Sequence, residues 1–263
     1  MQAAIPSGSS VVSLQSVTKT FDSGILALDG LNLDIRGGKF VSLLGPSGCG
    51  KSTALRIIAG LSAPSSGTVT WPGGRPQGAH PIGFVFQEPT LMPWTTVFDN
   101  VFLPLRLAGQ TRAEASPRVS DTLTRVGLAD FAKAYPRELS GGMKMRVSIA
   151  RALVTDPSLL LMDEPFAALD EITRFKLNDD LLSLWRELGK TVVFVTHSVF
   201  ESVYLSQRVV IMTPRPGRVA TTLAIDAPNR DARFRTSAEY AAYCRLASEA
   251  LARAMDVRAG TTA

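Results

Sequence analysis

Two cysteines, Cys49 and Cys244, are too few in a chain of 263 residues to frame a disulfide-stapled fold. Cys49 lies in a glycine loop that leads into a helix, where a cross-link would obstruct the backbone, so a reducing, cytosolic setting is expected. Aromatic residues amount to 7%, which argues against a surface that stacks nucleic-acid bases. Lysine and arginine outnumber aspartate and glutamate, 28 to 23, for a net charge of +5, yet no run of five or more basic residues occurs. The excess therefore reads as a mixed solvated surface, and no nucleic-acid partner is expected. No stretch approaches the ~20 apolar residues of a membrane span. The opening residues lack a basic region followed by an apolar run, so no secretory signal is expected. Work at a membrane would then require a docked partner.

What is present is an ordinary globular composition, 45% hydrophobic and 19% charged, with length for one or two domains. Residues 1–10 are small and polar and read as a frayed end. Residues 11–14 and 31–35 alternate apolar with polar, as half-buried antiparallel strands do, with turns at Asp22-Ser23-Gly24 and Arg36-Gly37-Gly38. Residues 40–44 form a buried strand, and a helix with Leu55, Ile58, Ala59 and Leu61 on one face follows. Strand character returns at 69–71 and 82–86. From Glu88 to about Leu153 the period is helical, through Val97, Val101 and Leu105 and then Val119, Leu123 and Val126, punctuated by Pro89, Pro93, Pro104 and Pro136. Residues 159–162 and 192–195 are continuous apolar runs, the mark of parallel strands covered on both faces. A strand pair is expected at 208–224 and a helix at 237–256. No internal repeat is found.

Gly45-x-x-x-x-Gly50-Lys51-Ser52 is a phosphate-binding loop in the required context of strand before and helix after. Its glycines let the backbone through Pro46, Ser47, Gly48, Cys49 and on to Thr53 curl so that several N–H groups point at one centre, and the helix starting near Lys51 adds its positive end. Lys51 can reach β- and γ-phosphates, and the Ser52 hydroxyl can ligate Mg²⁺. Cys49 beside that helix start is expected to react with thiol reagents, with nucleotide protecting it. Asp163 and Glu164 end an apolar strand, where ligands of open parallel sheets bind. Asp163 suits a metal, and Glu164 suits a general base that activates water. His197 also ends an apolar strand; the chain's other histidine, His80, lies in a Gly/Pro-rich loop. Ser140, followed by Gly141 and Gly142, caps a helix and makes a second anion-attracting helix start.

The order of these motifs is similar to that of the ATPase subunit of an ABC transporter, from Val11 to about Val219. Residues 45–52 match Walker A, 159–164 Walker B with its catalytic glutamate, and 139–142 the signature motif. Gln87 matches the Q-loop glutamine, residues 168–170 the D-loop with Asp170, His197 the switch histidine and Phe21 the adenine-stacking aromatic. Phe21 stands where Tyr is usual, and Met143 where Gln is common. Met143 with Lys144 and Arg146, and residues 88–94, resemble the branch serving nitrate, sulfonate, taurine and pyrimidine-precursor importers.

The resemblance implies an α/β P-loop NTPase core with a mostly parallel sheet, an antiparallel β subdomain and a helical subdomain at about 88–153. The ATPase domain would span 11–219, leaving a tail at 220–263 with one helix. It further implies ATP and Mg²⁺, the latter at Ser52, Gln87 and Asp163. Catalysis would rest on Glu164, His197 and Gln87. ATP would lie in a head-to-tail dimer, against the partner copy's Ser140, Gly141 and Gly142, with Asp170 linking the two sites. The partners would be a transmembrane permease and, indirectly, an extracytoplasmic substrate-binding protein, with the chain peripheral on the cytoplasmic face of the inner membrane. The alternatives are a soluble ABC-type ATPase acting on ribosomes or nucleic acid, and an exporter motor. Tandem cassettes and a long coiled-coil insertion, which resemble the first alternative, are absent.

Overall fold

In chain order the elements are β1 (Ser10–Thr20), β2 (Leu26–Arg36), β3 (Phe40–Leu44), α1 (Lys51–Ala59), β4 (Ser66–Thr70), β5 (Ile82–Val85), α2 (Val97–Leu107), α3 (Arg112–Arg125), α4 (Gly141–Leu153), β6 (Leu159–Asp163), α5 (Glu171–Leu188), β7 (Thr191–Thr196), α6 (Val199–Leu205), β8 (Arg208–Met212), β9 (Val219–Ala224), α7 (Ala232–Arg235) and α8 (Ala238–Asp256). This computed structural model describes residues 9–72, 74 and 82–256. His80 and most of the expected frayed start lie outside the described residues. The chain divides into two units, Met1–Arg75 with Thr191–Ala263, and Pro76–Lys190. Among the described residues no helix is long and apolar enough to cross a membrane.

The first unit contains an antiparallel sheet in which β1 pairs with β2 on one side and β4 on the other. Both β1 and β2 are 11 residues long, longer than the alternation suggested. The reason is a bulge: register shifts between Leu14 and Val17, where Ser16 takes a φ of 48°, break the period without ending the strand. Gly67 accommodates that bulge, because a Cβ there would sit 2.3 Å from the Ser16 carbonyl oxygen.

In the same unit β3 lies between β7 and β8, parallel to both, and β9 joins β8 antiparallel. Every residue of β3 and β7 is buried, which is why their sequences are apolar without alternation. The Phe40 and Phe194 rings meet at 5.8 Å in this core, each contributing roughly 2–3 kcal/mol by burial. Helix α6 packs on β3 and β7, and α8 packs on α6 and β8.

The second unit pairs β5 with β6 in parallel and packs α4 against β5. Gly83 permits that approach, since a Cβ there would lie 2.7 Å from the Ala152 carbonyl oxygen. Helix α3 starts with a reciprocal capping box between Thr111 and Glu114, and those hydrogen bonds hold the Glu114 carboxyl below its ordinary value. Asn100, fully buried on α2, accepts from Met92 N–H at 2.8 Å and donates to the Thr96 carbonyl at 3.0 Å, tying the segment before α2 to the helix. Pro104 lies inside α2 rather than between helices, and Pro117 inside α3. The buried face of Val97, Val101 and Leu105 holds α2 together through the lost backbone bond.

Candidate active site

The first unit holds the phosphate loop, Phe21 and His197. Strand β3 ends at buried Leu44, and α1 begins at Lys51. Gly50 has a φ of 99°, and a Cβ there would meet Leu28 Cδ2 at 2.7 Å and the Ala27 carbonyl oxygen at 2.8 Å, so the chain can enter α1 only through glycine. Ser47 and Gly48 are exposed, Pro46, Ser52 and Thr53 half-buried. A helix start such as that of α1 lacks intrahelical acceptors for its first N–H groups, the general reason helix N-termini attract anions. Lys51, 3% exposed, folds back so that Nζ donates to the Gly45 carbonyl at 2.8 Å and the Pro46 carbonyl at 2.9 Å. Those bonds cross the loop and place the ammonium over it.

Cys49 is 1% exposed, which corrects the expected reactivity: a reagent reaches the thiol only if the loop opens. The loop's floor is Gly217, in the β8–β9 turn. A Cβ at Gly217 would lie 2.0 Å from the Cys49 carbonyl oxygen. Gly217 N–H donates to the Ala27 carbonyl at 2.9 Å, and the Gly217 carbonyl accepts from Asp29 N–H at 3.2 Å, so the turn is fastened to β2 as well. Sequence reasoning passed over Gly217; the surrounding Pro214-Arg215-Pro216-Gly217 run marks a turn, and nothing in it reveals which loop lies above.

Leu44 and Thr196 are parallel partners, so His197 leaves β7 beside the point where the loop leaves β3. His197 is exposed. Phe21 follows β1 at 41% exposure, with Lys19 Nζ 5.5 Å from the ring centroid.

In the second unit Val85 pairs with Met162, so Gln87 and the Asp163-Glu164 pair leave the same end of the β5–β6 strands. Asp163 is 7% exposed, Glu164 half-buried and Gln87 exposed. Glu164 takes a φ of 44°, a conformation costly for a residue with a side chain and recurrent at functional sites. Ser140 caps α4, its Oγ accepting from Met143 N–H at 3.3 Å. Gly141 and Gly142 lie against the start of α5: a Cβ at Gly142 would meet Thr173 Cγ2 at 2.7 Å, and one at Gly141 would meet Leu169 Cδ2 at 3.3 Å. Asp170 caps α5 by accepting from Thr173 N–H at 2.9 Å, and that backbone bond holds its exposed carboxyl below the ordinary value. Gly142 and Asp170 thus converge on Thr173. Arg151, also unforeseen, reaches from α4 to the Pro89 carbonyl at 2.8 Å and the Thr90 carbonyl at 2.9 Å, fastening the segment after Gln87; burial lowers its guanidinium pKa.

Ser52 in the first unit offers a hydroxyl oxygen, and Gln87 and Asp163 in the second offer an amide and a carboxylate oxygen, each a donor type that Mg²⁺ accepts. Among the described residues no three or more His, Cys, Asp or Glu gather into a protein-only cage.

Residues 28–167 match the family model described as ABC transporter. A taurine import ATP-binding protein of Rhizobium johnstonii is 49% identical over 201 residues, 76% of this chain and 77% of that protein. The chain belongs to the ABC transporter ATP-binding family. A nitrate import ATP-binding protein of Synechocystis is 46% identical to this ABC subunit over 205 residues, 78% of the chain and 77% of that protein, which puts the subunit in the nitrate/taurine branch. The dimeric structure of an ATP-binding cassette in a post-hydrolysis state, bound to ADP and Pi, matches the ABC subunit with a TM-score of 0.71 and 37% identity, over 82% of this chain and 99% of that one. The fold is that of an ABC ATPase, and the ABC subunit is an ATP-hydrolysing enzyme.

Proposed function

We propose that this ABC ATPase drives import of a small solute of the nitrate, sulfonate or taurine type, or a pyrimidine precursor, through a separate transmembrane permease. The observation that carries the reading is similarity to taurine and nitrate import proteins over more than three quarters of the chain. The ATPase domain is taken as 11–219, with a helical subdomain at about 88–153 and a tail at 220–263. Two copies act head to tail at the cytoplasmic face of the membrane, and an extracytoplasmic binding protein delivers the solute to the permease.

Each ATP lies on the phosphate loop of one copy, residues 45–53, with Phe21 against adenine. The Ser140 hydroxyl and the Gly141 and Gly142 N–H groups of the second copy meet the γ-phosphate. Ser52, Gln87 and Asp163 would hold Mg²⁺, which when bound would neutralise phosphate charge. Glu164 takes the proton of the attacking water as its oxygen bonds to the γ-phosphorus. The bond to the bridging oxygen breaks, and the electron pair leaves with ADP. His197 steadies the γ-phosphate as charge develops. Hydrolysis removes the group that bridges the copies, so ATP acts as a ligand of the closed pair. Asp170 links the two sites, and Gln87 passes the nucleotide state to the helical region.

Purifying the tagged chain from native membranes in mild detergent tests the reading. A multi-span permease at equal stoichiometry is expected. Recovery with ribosomes or nucleic acid alone would refute the transport role and leave the ATPase chemistry standing.

A further inference from the structure

His197 projects from a turn whose two flanking residues are hydrogen-bonded to each other and to one residue, Glu201: Thr196 to its buried carboxylate and Ser198 to its backbone N–H. Thr196, on the near side, is 2% exposed. Its hydroxyl donates to Glu201 Oε2 at 2.5 Å and accepts from Ser198 N–H at 2.9 Å. Ser198, on the far side, caps α6, its Oγ accepting from Glu201 N–H at 3.3 Å. Glu201 closes the ring at 8% exposure. Burying a carboxylate is unfavourable unless its oxygens are bonded, so a glutamate here is a costly choice for a position that a neutral side chain could fill. The ring is backed from outside. Tyr240 on α8 donates its hydroxyl to the carbonyl of Phe200, the residue before Glu201, at 3.0 Å. The exposed His197 sits between these two flanking residues, beside the strand end from which the phosphate loop departs.

We propose that Thr196 and Glu201 are positioning residues that act as a latch, fixing the turn from which His197 reaches the γ-phosphate. The latch rests on the role proposed for His197 and adds to it the groups that set the imidazole's place. Displacement of a group that must meet a transferring phosphoryl lowers turnover more than it lowers nucleotide binding, which distinguishes a latch from a simple helix cap.

The test uses the full-length chain with T196V, which removes the hydroxyl at nearly constant shape, T196S, which keeps it, and each change combined with H197A. We expect T196V to lower kcat about tenfold or more while KM for ATP stays within about twofold, and T196S to restore kcat. In the H197A background T196V should add no further loss, because the two changes act through one group. A second readout uses the chain's two histidines: with ¹³C at histidine Cε1, T196V should move the His197 resonance and leave that of His80. Unchanged kcat in T196V, a loss that multiplies with that of H197A, or an unmoved His197 resonance would each overturn the latch. If T196V does not fold, E201D, which draws the carboxylate back by one methylene, is read by the same criteria. An H197A chain with wild-type kcat would reject the role of His197 itself, and the latch with it. Loss in H197A without loss in T196V rejects the latch alone.

Discussion

Replacing Gly217 by alanine puts a methyl carbon 2.0 Å from the Cys49 carbonyl oxygen and 3.0 Å from Met212 Cε. Ordinary van der Waals contact begins at 3.4 Å, so the loop and the turn must part by about 1.4 Å. The turn is poorly placed to yield, because Gly217 is hydrogen-bonded to β2 at both its N–H and its carbonyl. The phosphate loop is the side that moves, and the Lys51 bonds to the Gly45 and Pro46 carbonyls move with it. Overpacking of this size costs about 1–3 kcal/mol. If most of that appears as misplacement of the phosphate-facing N–H groups, ATP affinity falls by roughly tenfold to a hundredfold, at about 1.4 kcal/mol per decade. Titration calorimetry with ATP, beside a thermal melt, reads both quantities. Wild-type affinity in G217A, with or without a lower Tm, would refute the reasoning, since it would mean that the turn and not the loop absorbs the methyl.

Lys51→Ala removes the ammonium that spans the loop and should weaken ATP binding about tenfold or more, measured by the same titration; unaltered binding contradicts the assignment of the loop. Glu164→Gln keeps the shape of the proposed base and should retain ATP while lowering turnover about 10²-fold or more, leaving a trapped dimer visible by size-exclusion chromatography. An unchanged hydrolysis rate removes Glu164 from that role. Burial pushes up the pKa of both the Tyr240 hydroxyl and the Cys244 thiol, so the fold favours their neutral forms. Their contribution is complete below the unfolded-state values and is lost as pH rises through the folded-state ones. Stability should therefore fall above about pH 9, and a Y240F/C244A chain should show a flatter Tm profile there. A profile as steep as that of the wild type refutes this.

The phosphate loop, the buried parallel strands and the helical signature segment were legible because each is local. Glycine at Gly50, a strand of apolar residues at 40–44 and a helix after Lys51 act within a dozen residues of one another, and an apolar run without alternation has few places to go but a sheet covered on both faces. The lengths of β1 and β2 were not legible, because the bulge at Ser16 breaks the period while pairing continues on both sides, and only Gly67 on the neighbouring strand makes room for it. Pro104 was misread because a proline in isolation signals a break, whereas α2 is held by the burial of its apolar face. Cys49 was misread because a helix start argues for reactivity and the sequence carries no measure of access.

By itself the sequence determined the chemistry on offer: an ammonium, a hydroxyl, two adjacent carboxylates and a strand-end histidine, each at the end of a recognisable element. Tertiary structure alone decided what holds them in place. Gly217 beneath Cys49, Arg151 across to Thr90, Thr173 beside Gly142 and Glu201 closing the ring around His197 are all supports. Those between distant segments, such as Gly217 and Cys49, exist only once the chain brings remote parts together. The ring at His197, though local, needs the turn into α6 to aim its carboxylate back at the strand. Side-chain identity is written locally, whereas contact is a property of the fold.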